Sequence, residues 1–397
     1  MQTSRLVAVG LAIFAMLFGA GNVVFPLGLG RDAGAQVFFA VTGFIVTGVL
    51  VPILGLVSAA LFGGDYKKFF AMMGRFPGAI IALLCMLLLG PFGATPRCIT
   101  LVHGAIKWHV PGLDLFAFSL VAAVLIFLAT MRKSSIVDLM GRLFGPVKLI
   151  LLLSIIVVGL FSSVTPPASL MTDAGAFMRG FSDGYLTLDL IATIFFSGLI
   201  AASIKAHHTG NKPLTSHQMA GYGLKAGLIG GTLLGLVYVG FSFAAAKQAA
   251  GLGMTEDAQL LSAITTLLLG AKATILANIT TAIACMTTAI ALTAVFADYL
   301  AHELFFGKIK YIHALLMTVS LNFAMTNLGF GGLAQIIAPL VLVCYPALIV
   351  LSLANIAHVL WKFQYTKEVV LTTVLINVCM TILAHTDTIK NAVAAFI

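Results

Sequence analysis

Phe14-Ala-Met-Leu-Phe-Gly-Ala-Gly-Asn-Val-Val-Phe-Pro26 lies in the middle of an apolar run long enough to cross a bilayer, yet it gathers Gly19, Gly21, Asn22 and Pro26 within eight positions. A continuous membrane helix has no use for that cluster. Glycine weakens a helix interior and lets backbone approach closely, while proline withholds a donor and crowds the preceding turn. In hydrocarbon, freed backbone groups survive only where protein buries them or a polar cavity meets them. The stretch therefore predicts a first membrane helix that breaks at mid-depth, its loosened turn binding a small ligand and an ion.

Around it, the chain of 397 residues is 60% hydrophobic and only 9% charged, with a mean hydropathy of +1.10. That balance excludes a soluble domain and indicates an all-α polytopic membrane protein. The net charge of +9 would suggest nucleic acid in a soluble protein, but here the positions of the charges decide the matter. The first apolar run begins after Arg5 and carries no small-residue cleavage site, so it is expected to be retained. Cys85, Cys98, Cys285, Cys344 and Cys379 are scattered through apolar segments without a CxxC pair, which supports neither a disulfide framework nor a zinc site. The chain has no H-E-x-x-H, G-x-S-x-G or G-x-x-x-x-G-K-[ST] motif, so nothing reads as an enzyme. Lacking an ATP-binding loop, any uphill transport would draw on an ion gradient.

About 20 apolar residues span a bilayer. By that measure spans fall near 6–30, 36–62, 78–104, 114–131, 143–164, 188–205, 217–246, 272–300, 311–328, 333–358 and 368–386, with a tail too short for another. With the N-terminus on the cytoplasmic side, 15 of the 22 Lys and Arg residues face inward and 7 outward, the asymmetry that orients membrane proteins. The excess positive charge then faces anionic lipid, with no nucleic-acid partner implied. The longest outer connections are 165–187 and 249–271, and residues 255–264 in the second read as a short surface helix, either a lid or a packed loop helix. His207-His208 reads as part of a solvated basic loop.

The layout suggests one transmembrane domain over 1–397: a repeat of five spans in about 5–164, a second in about 187–358, and an additional C-terminal helix in about 366–390. Because five is odd, the second copy must be inverted, and the ligand site of such 5+5 proteins lies at the midplane between repeats. The sixth span should then break as the first does. Phe195-Phe196-Ser197-Gly198 offers a Ser-Gly pair halfway along it, although such a pair also serves close helix packing.

A broken helix offers amide donors at the start of its second half, suited to a carboxylate, and carbonyls at the end of its first, suited to an ammonium group or Na⁺. The candidates are the amides of Ala20, Gly21 and Asn22 and the carbonyls near Phe18 and Gly19. In the eighth span, Thr287 and Thr288 follow Ala284-Cys-Met, and adjacent hydroxyls suit a hard cation. Membrane threonines also bond back to their own helix, and spacing alone leaves both readings open. Gly90-Pro-Phe-Gly-Ala-Thr-Pro-Arg97 places two prolines and an arginine in the third span. Arg97 either lines an outer vestibule, drawing or gating an anionic group, or snorkels to the interface, and the sequence by itself favours snorkelling. His103, Asp189 and Asp298 fall near predicted span ends, where charge is cheap; only Asp189, at the mouth of the sixth span, bears on a site.

Phe18-Gly-Ala-Gly-Asn22 with Phe25-Pro26, Gly90-Pro91 through Ala94-Thr-Pro-Arg97, and Ala284-Cys-Met-Thr-Thr288 leading to Ala297-Asp-Tyr299 together resemble the bacterial branched-chain amino acid carriers, the BrnQ or LIVCS family. The resemblance runs over most of the chain. It implies cation-coupled import of leucine, isoleucine and valine across the bacterial cytoplasmic membrane, on a LeuT-like inverted-repeat fold; with helices 1 and 6 broken, such a carrier is expected to work by alternating access. It implies that the Ala20 and Gly21 amides hold the substrate carboxylate and that Phe195 and Phe196 form the apolar wall; with Gly19 and Asn22 at the first break and Ser197 and Gly198 at the expected second, these make up the candidate substrate site. It further implies a sodium site from the carbonyls of Ala15, Phe18 and Ala284 and the hydroxyls of Thr287 and Thr288, with Asn22 as a ligand of a second sodium. The chain departs from the family in showing eleven spans where twelve are usual. With no Asp or Glu mid-span in helices 1 and 8, the residues favour Na⁺ over a proton. A proton-coupled carrier of other neutral amino acids and a non-transporting amino acid sensor of the same fold stay open, and no obligate protein partner is evident.

Overall fold

The computed structural model describes residues 3–131, 150–206 and 214–384. His207-His208, residues 143–149 of the fifth expected span and residues 385–390 of the C-terminal helix lie outside them. The described chain is helical throughout. Its elements are α1 Thr3–Leu17, α2 Gly21–Ala33, α3 Val37–Ile45, α4 Val51–Leu61, α5 Tyr66–Ala71, α6 Arg75–Leu89, α7 Ala94–Lys107 and α8 Leu115–Met131. The apolar helix α9 covers Ile150–Phe161. There follow α10 Asp173–Tyr185, α11 Asp189–Ala206, α12 Ser216–Lys247, α13 Ala249–Leu252, α14 Leu260–Leu269, α15 Ala271–Tyr299, α16 Tyr311–Thr326, α17 Gly329–Trp361 and α18 Thr366–Ala384.

The first span is interrupted at Phe18–Ala20, between α1 and α2, where the glycine cluster predicts it. Pro26 is accommodated inside α2, and its own carbonyl accepts the Ser242 hydroxyl of α12 at 3.0 Å, which ties the two helices together. Gly30 lets α2 lie against α12, since a Cβ there would sit 2.1 Å from the Ser242 carbonyl oxygen.

The sixth span is also interrupted, but elsewhere than expected. Helix α11 runs unbroken through Ser197-Gly198, and the interruption is Leu186–Leu188, between α10 and α11. The span therefore starts at Asp173, and what reads as an outer connection is half of a membrane helix. Its polar appearance comes from Arg179 and Asp183, which pair with each other at 2.8 Å. Its buried face is a ladder of Ala176, Gly180 and Gly184 laid on α3. A Cβ on Gly180 would meet the Ala40 carbonyl oxygen at 1.8 Å, and one on Gly184 the Thr47 hydroxyl at 2.1 Å. Small residues four apart are how membrane helices bring their backbones together. Ser197 and Gly198 do the packing work instead: the Ser197 hydroxyl donates to the Ile194 and Gly64 carbonyls at 2.6 and 3.2 Å.

A further interruption separates α6 from α7. Gly90-Pro-Phe-Gly93 forms a turn, and a Cβ on Gly93 would stand 1.9 Å from the Leu88 carbonyl oxygen. Pro96 falls in the opening turn of α7, where a missing N–H costs nothing. The long helices close the bundle, α12 against α1, α2 and α4, and α15 against α7. The segment after Thr255 is a short 3-10 turn, Asp257–Gln259, followed by α14.

Candidate functional site

The interruptions of α1/α2, α6/α7 and α10/α11 converge on one cavity of about 470 Å³. Gly19, Ala20, Gly21 and Asn22 line it, with Arg97 and Cys98 of α7, Thr187 to Asp189 at the second break, and Thr287 and Thr288 of α15. From α1 come Ala15 to Leu17, and from α11 Ala192, Phe196 and Leu199, while α10 contributes nothing among the described residues. The cavity therefore extends from the breaks toward the end of the bundle where α1 starts and α11 finishes.

Beyond the opposite end lies a second, charged cavity lined by the end of α7 and the chain around residue 255. Phe25 and Phe330, with ring centroids 6.0 Å apart, stand between the two, since Phe330 and the α7 turn above Arg97 line the second cavity and Arg97 the first. The strands of chain at that end are tied by ion pairs. Arg31 reaches Asp257 at 3.1 Å and the Thr255 carbonyl at 2.9 Å, Lys107 meets Glu256 at 3.2 Å, and Arg179 meets Asp32 at 3.6 Å.

Asn22 joins the two central breaks. Its Oδ1 accepts the Gly19 amide at 2.9 Å, so the side chain caps the turn it belongs to. Its Nδ2 donates to both carboxylate oxygens of Asp189, at 3.0 and 2.8 Å, and to the Tyr238 hydroxyl. Tyr238, on α12, donates in turn to Asp189 at 2.8 Å. Asp189 is 1% exposed, the first residue of α11, so its charge also meets the positive end of that half-helix. Its placement corrects the expectation of a span-mouth acid: because α10 precedes it within the membrane, Asp189 sits at the centre. The Asn22 side chain is thus committed to protein partners, whereas Ala20 and Gly21 open α2, where early amides have no preceding turn to bond.

The break before Asp189 is made without glycine. Leu188 takes a φ of 64°, a left-handed value that a branched side chain rarely adopts. Thr187 holds the turn, donating its hydroxyl to the Gly184 carbonyl at 2.9 Å, and Arg97 donates from Nη1 to the Leu186 carbonyl at 2.6 Å. Arg97 does not snorkel: it is 2% exposed, with its guanidinium carbon 5.0 Å from the centre of the Phe25 ring. Through Nη1 it braces the second break from inside.

Of the expected wall, Phe196 faces the cavity and Phe195 does not; Phe195 packs on Tyr66 and Phe70 of α5, at 4.9 and 5.8 Å between centroids. Ser197 and Gly198 turn toward Gly64 and do not line the cavity either. Thr287 and Thr288 reach it together, each donating its hydroxyl hydrogen to the Ala284 carbonyl, at 2.9 and 3.0 Å. That bond consumes the donor and leaves oxygen lone pairs available. Ala284 thereby orients the pair instead of standing free. Phe18 stacks on Phe14 with centroids 5.4 Å apart, and Ala15 lines the cavity. Sequence reading missed Tyr238 altogether: a lone tyrosine in a long apolar helix carries no local sign of its partners.

The profile of the family described as "Branched-chain amino acid transport protein" matches residues 2–396. The branched-chain amino acid transport system 3 carrier protein of Pseudomonas aeruginosa is 29% identical over 365 residues, 90% of this chain and 81% of that protein. The permease BraB of Bacillus subtilis is 31% identical over 373 residues, covering 90% and 80%, and the permease BrnQ of Escherichia coli 28% over 370 residues, covering 91% and 82%. Among solved structures, the inward-facing conformation of Mhp1 superposes with a TM-score of 0.66 at 13% identity, covering 88% of this chain and 76% of that one. The same transporter closed around bromovinylhydantoin gives 0.61 at 15% identity, and both likenesses concern the fold. With breaks in the first and sixth spans on a LeuT-like architecture and a profile match from end to end, this chain belongs to the family of multi-pass branched-chain amino acid transport proteins.

Proposed function

We propose that the protein imports leucine, isoleucine and valine together with Na⁺, by alternating access between inverted repeats, across the cytoplasmic membrane with its N-terminus inside. The observation that carries this reading is the cavity itself: an apolar wall containing Phe196, Leu199 and Leu292 beside two helix breaks and a pair of oriented hydroxyls. The aliphatic side chain of the substrate lies along that wall. Such a surface separates neighbours differing by a methylene by only about 1–3 kcal/mol, so all three amino acids are accepted. Na⁺ sits between Thr287, Thr288 and the α1 backbone near Ala15, where ligands are oxygens without fixed charge.

One observation favours a second reading. Asp189 brings a carboxylate to the cavity wall, and a proton carried on it would couple transport without Na⁺. Leucine uptake into proteoliposomes under an imposed sodium gradient, then under a pH gradient alone, separates the two. Sodium-driven accumulation lost in Thr287→Ala and Thr288→Ala supports the first. Uptake indifferent to sodium, with both variants normal and Asp189→Asn inactive, overturns it in favour of the second.

A further inference from the structure

Arg97 carries more bonding capacity than the fold uses. Its guanidinium has five N–H groups in a planar fork, and the described protein employs it at Nη1 alone, on the Leu186 carbonyl. Nε and Nη2 are buried with no hydrogen-bond partner. Among the described residues no carboxylate is within ion-pair distance, and beyond the Leu186 carbonyl the charge meets the Phe25 ring, 5.0 Å from the guanidinium carbon. An arginine left this way in a low-dielectric interior is costly, because both the charge and its unmatched donors have been taken from water. Across the same cavity, Asp189 holds the opposite charge, saturated by Asn22 and Tyr238. Both Arg97 and Asp189 line that cavity, so the two charges look onto a common space.

We propose that Arg97 receives the carboxylate of the amino acid substrate through its Nε and Nη2 fork, while Asp189 attracts the ammonium group. This rests on the amino acid reading above and deepens it: side-chain charges on opposing walls, in addition to the backbone dipoles of the α1/α2 break, select a zwitterion. A carboxylate matches the fork with two parallel N–H···O bonds and neutralises the buried charge, a geometry that a lysine ammonium does not reproduce. Both fork nitrogens are shielded from water in this state, so the side chain turns on the Phe25 ring to meet its ligand. That motion acts on the Leu186 carbonyl, and through it binding is felt at the second helix break.

The first test uses the wild-type protein in lipid, with [1-¹³C]leucine and ¹⁵N-labelled arginine. Arg97 is the one arginine among the described residues that lines the cavity. Rotational-echo double resonance is expected to place the carboxylate carbon about 4 Å or less from a guanidinium nitrogen, as N–H···O contacts of about 2.8 Å require. The second test compares binding of leucine and leucinamide, which lacks the carboxylate, to wild type, Arg97→Lys and Arg97→Gln. Arg97→Gln is expected to weaken leucine by about 30-fold or more, as loss of a buried charge partner does, and to leave leucinamide little changed; Arg97→Lys falls between. Equal losses for both ligands would show that Arg97 only braces Leu186, and bound leucine without dephasing would overturn the assignment by itself. If wild type binds no leucine, the amino acid reading falls first and this assignment with it.

Discussion

Replacing Asn22 by alanine tests the centre of the site most directly, because one side chain there holds both helix breaks. The substitution removes the acceptor of the Gly19 amide, about 1 kcal/mol by the usual net worth of a hydrogen bond. It also strips Asp189 of a donor that touches both of its oxygens, at 3.0 and 2.8 Å. A hydrogen bond to a charged group contributes about 1.5–3 kcal/mol, and a buried charge stripped of its donor adds its own cost. Together the loss is about 2–5 kcal/mol, the range seen when one partner of a buried charged pair is truncated. If it falls on the arrangement that binds substrate, leucine affinity drops by roughly 30-fold to a few thousand-fold, at 1.4 kcal/mol per decade. Asn22→Asp removes the same donors and sets a second carboxylate against Asp189, so it should be worse than alanine although nearly isosteric. Equilibrium binding of labelled leucine to purified protein reads both, with monodisperse elution confirming the fold. Asn22→Ala binding within about threefold of wild type, under 1 kcal/mol, or Asn22→Asp binding better than Asn22→Ala, would refute the bridge.

Other consequences are open to measurement. Gly180→Val drives a Cβ to within 1.8 Å of the Ala40 carbonyl and should cost more than the usual 1–3 kcal/mol of overpacking, seen as a marked fall in melting temperature; a tolerant protein would mean that α10 does not lie on α3. Arg31→Gln removes the ties to Asp257 and Thr255 at the end of the bundle opposite the cavity mouth. These pairs are partly exposed, so about 1 kcal/mol is at stake, and labelling of Cys98 from that side should rise by roughly fivefold in a Cys379-free background. Unchanged labelling would place the barrier at Phe25 and Phe330 alone. Phe196→Ala enlarges the apolar wall and should improve phenylalanine as a competitor relative to leucine by about 1–2 kcal/mol, whereas Phe195→Ala, which disturbs only the contact with α5, should leave the order of preference intact.

The resemblance and the all-helical membrane character were both readable in the letters, because they rest on local features: an apolar run of a certain length, or a motif whose members are neighbours. The first break belongs to that class, since Gly19 and Gly21 weaken a helix wherever they stand, and the Asn22 side chain takes the Gly19 amide from three residues away. The Thr287 and Thr288 pair is equally local, and both of its bonds go to Ala284 in the preceding turn. Phe195 and Phe196 mark the limit of such reading. Adjacent residues on a helix point about 100° apart, so one of them had to leave the cavity, and the letters do not say which.

The second break shows why locality fails. Ser197-Gly198 looks like a weak point, but what decides whether a helix opens is where its orphaned carbonyls and amides find partners. At Ser197-Gly198 the ladder stays closed, and the glycine serves the turn at Gly64. At Leu186–Leu188 no residue is a natural breaker, and Leu188 occupies a conformation costing of order 1–3 kcal/mol that only its surroundings sustain. Those surroundings come from afar: Arg97, 89 positions earlier, takes the Leu186 carbonyl, and Asn22, 167 positions before Asp189, takes the carboxylate that follows. A break held by side chains instead of glycine has a consequence that a glycine break lacks. Whatever draws Arg97 or Asn22 away changes the stability of the α10/α11 junction, so under the proposal for Arg97 a bound carboxylate acts on a side chain that also keeps the helix open.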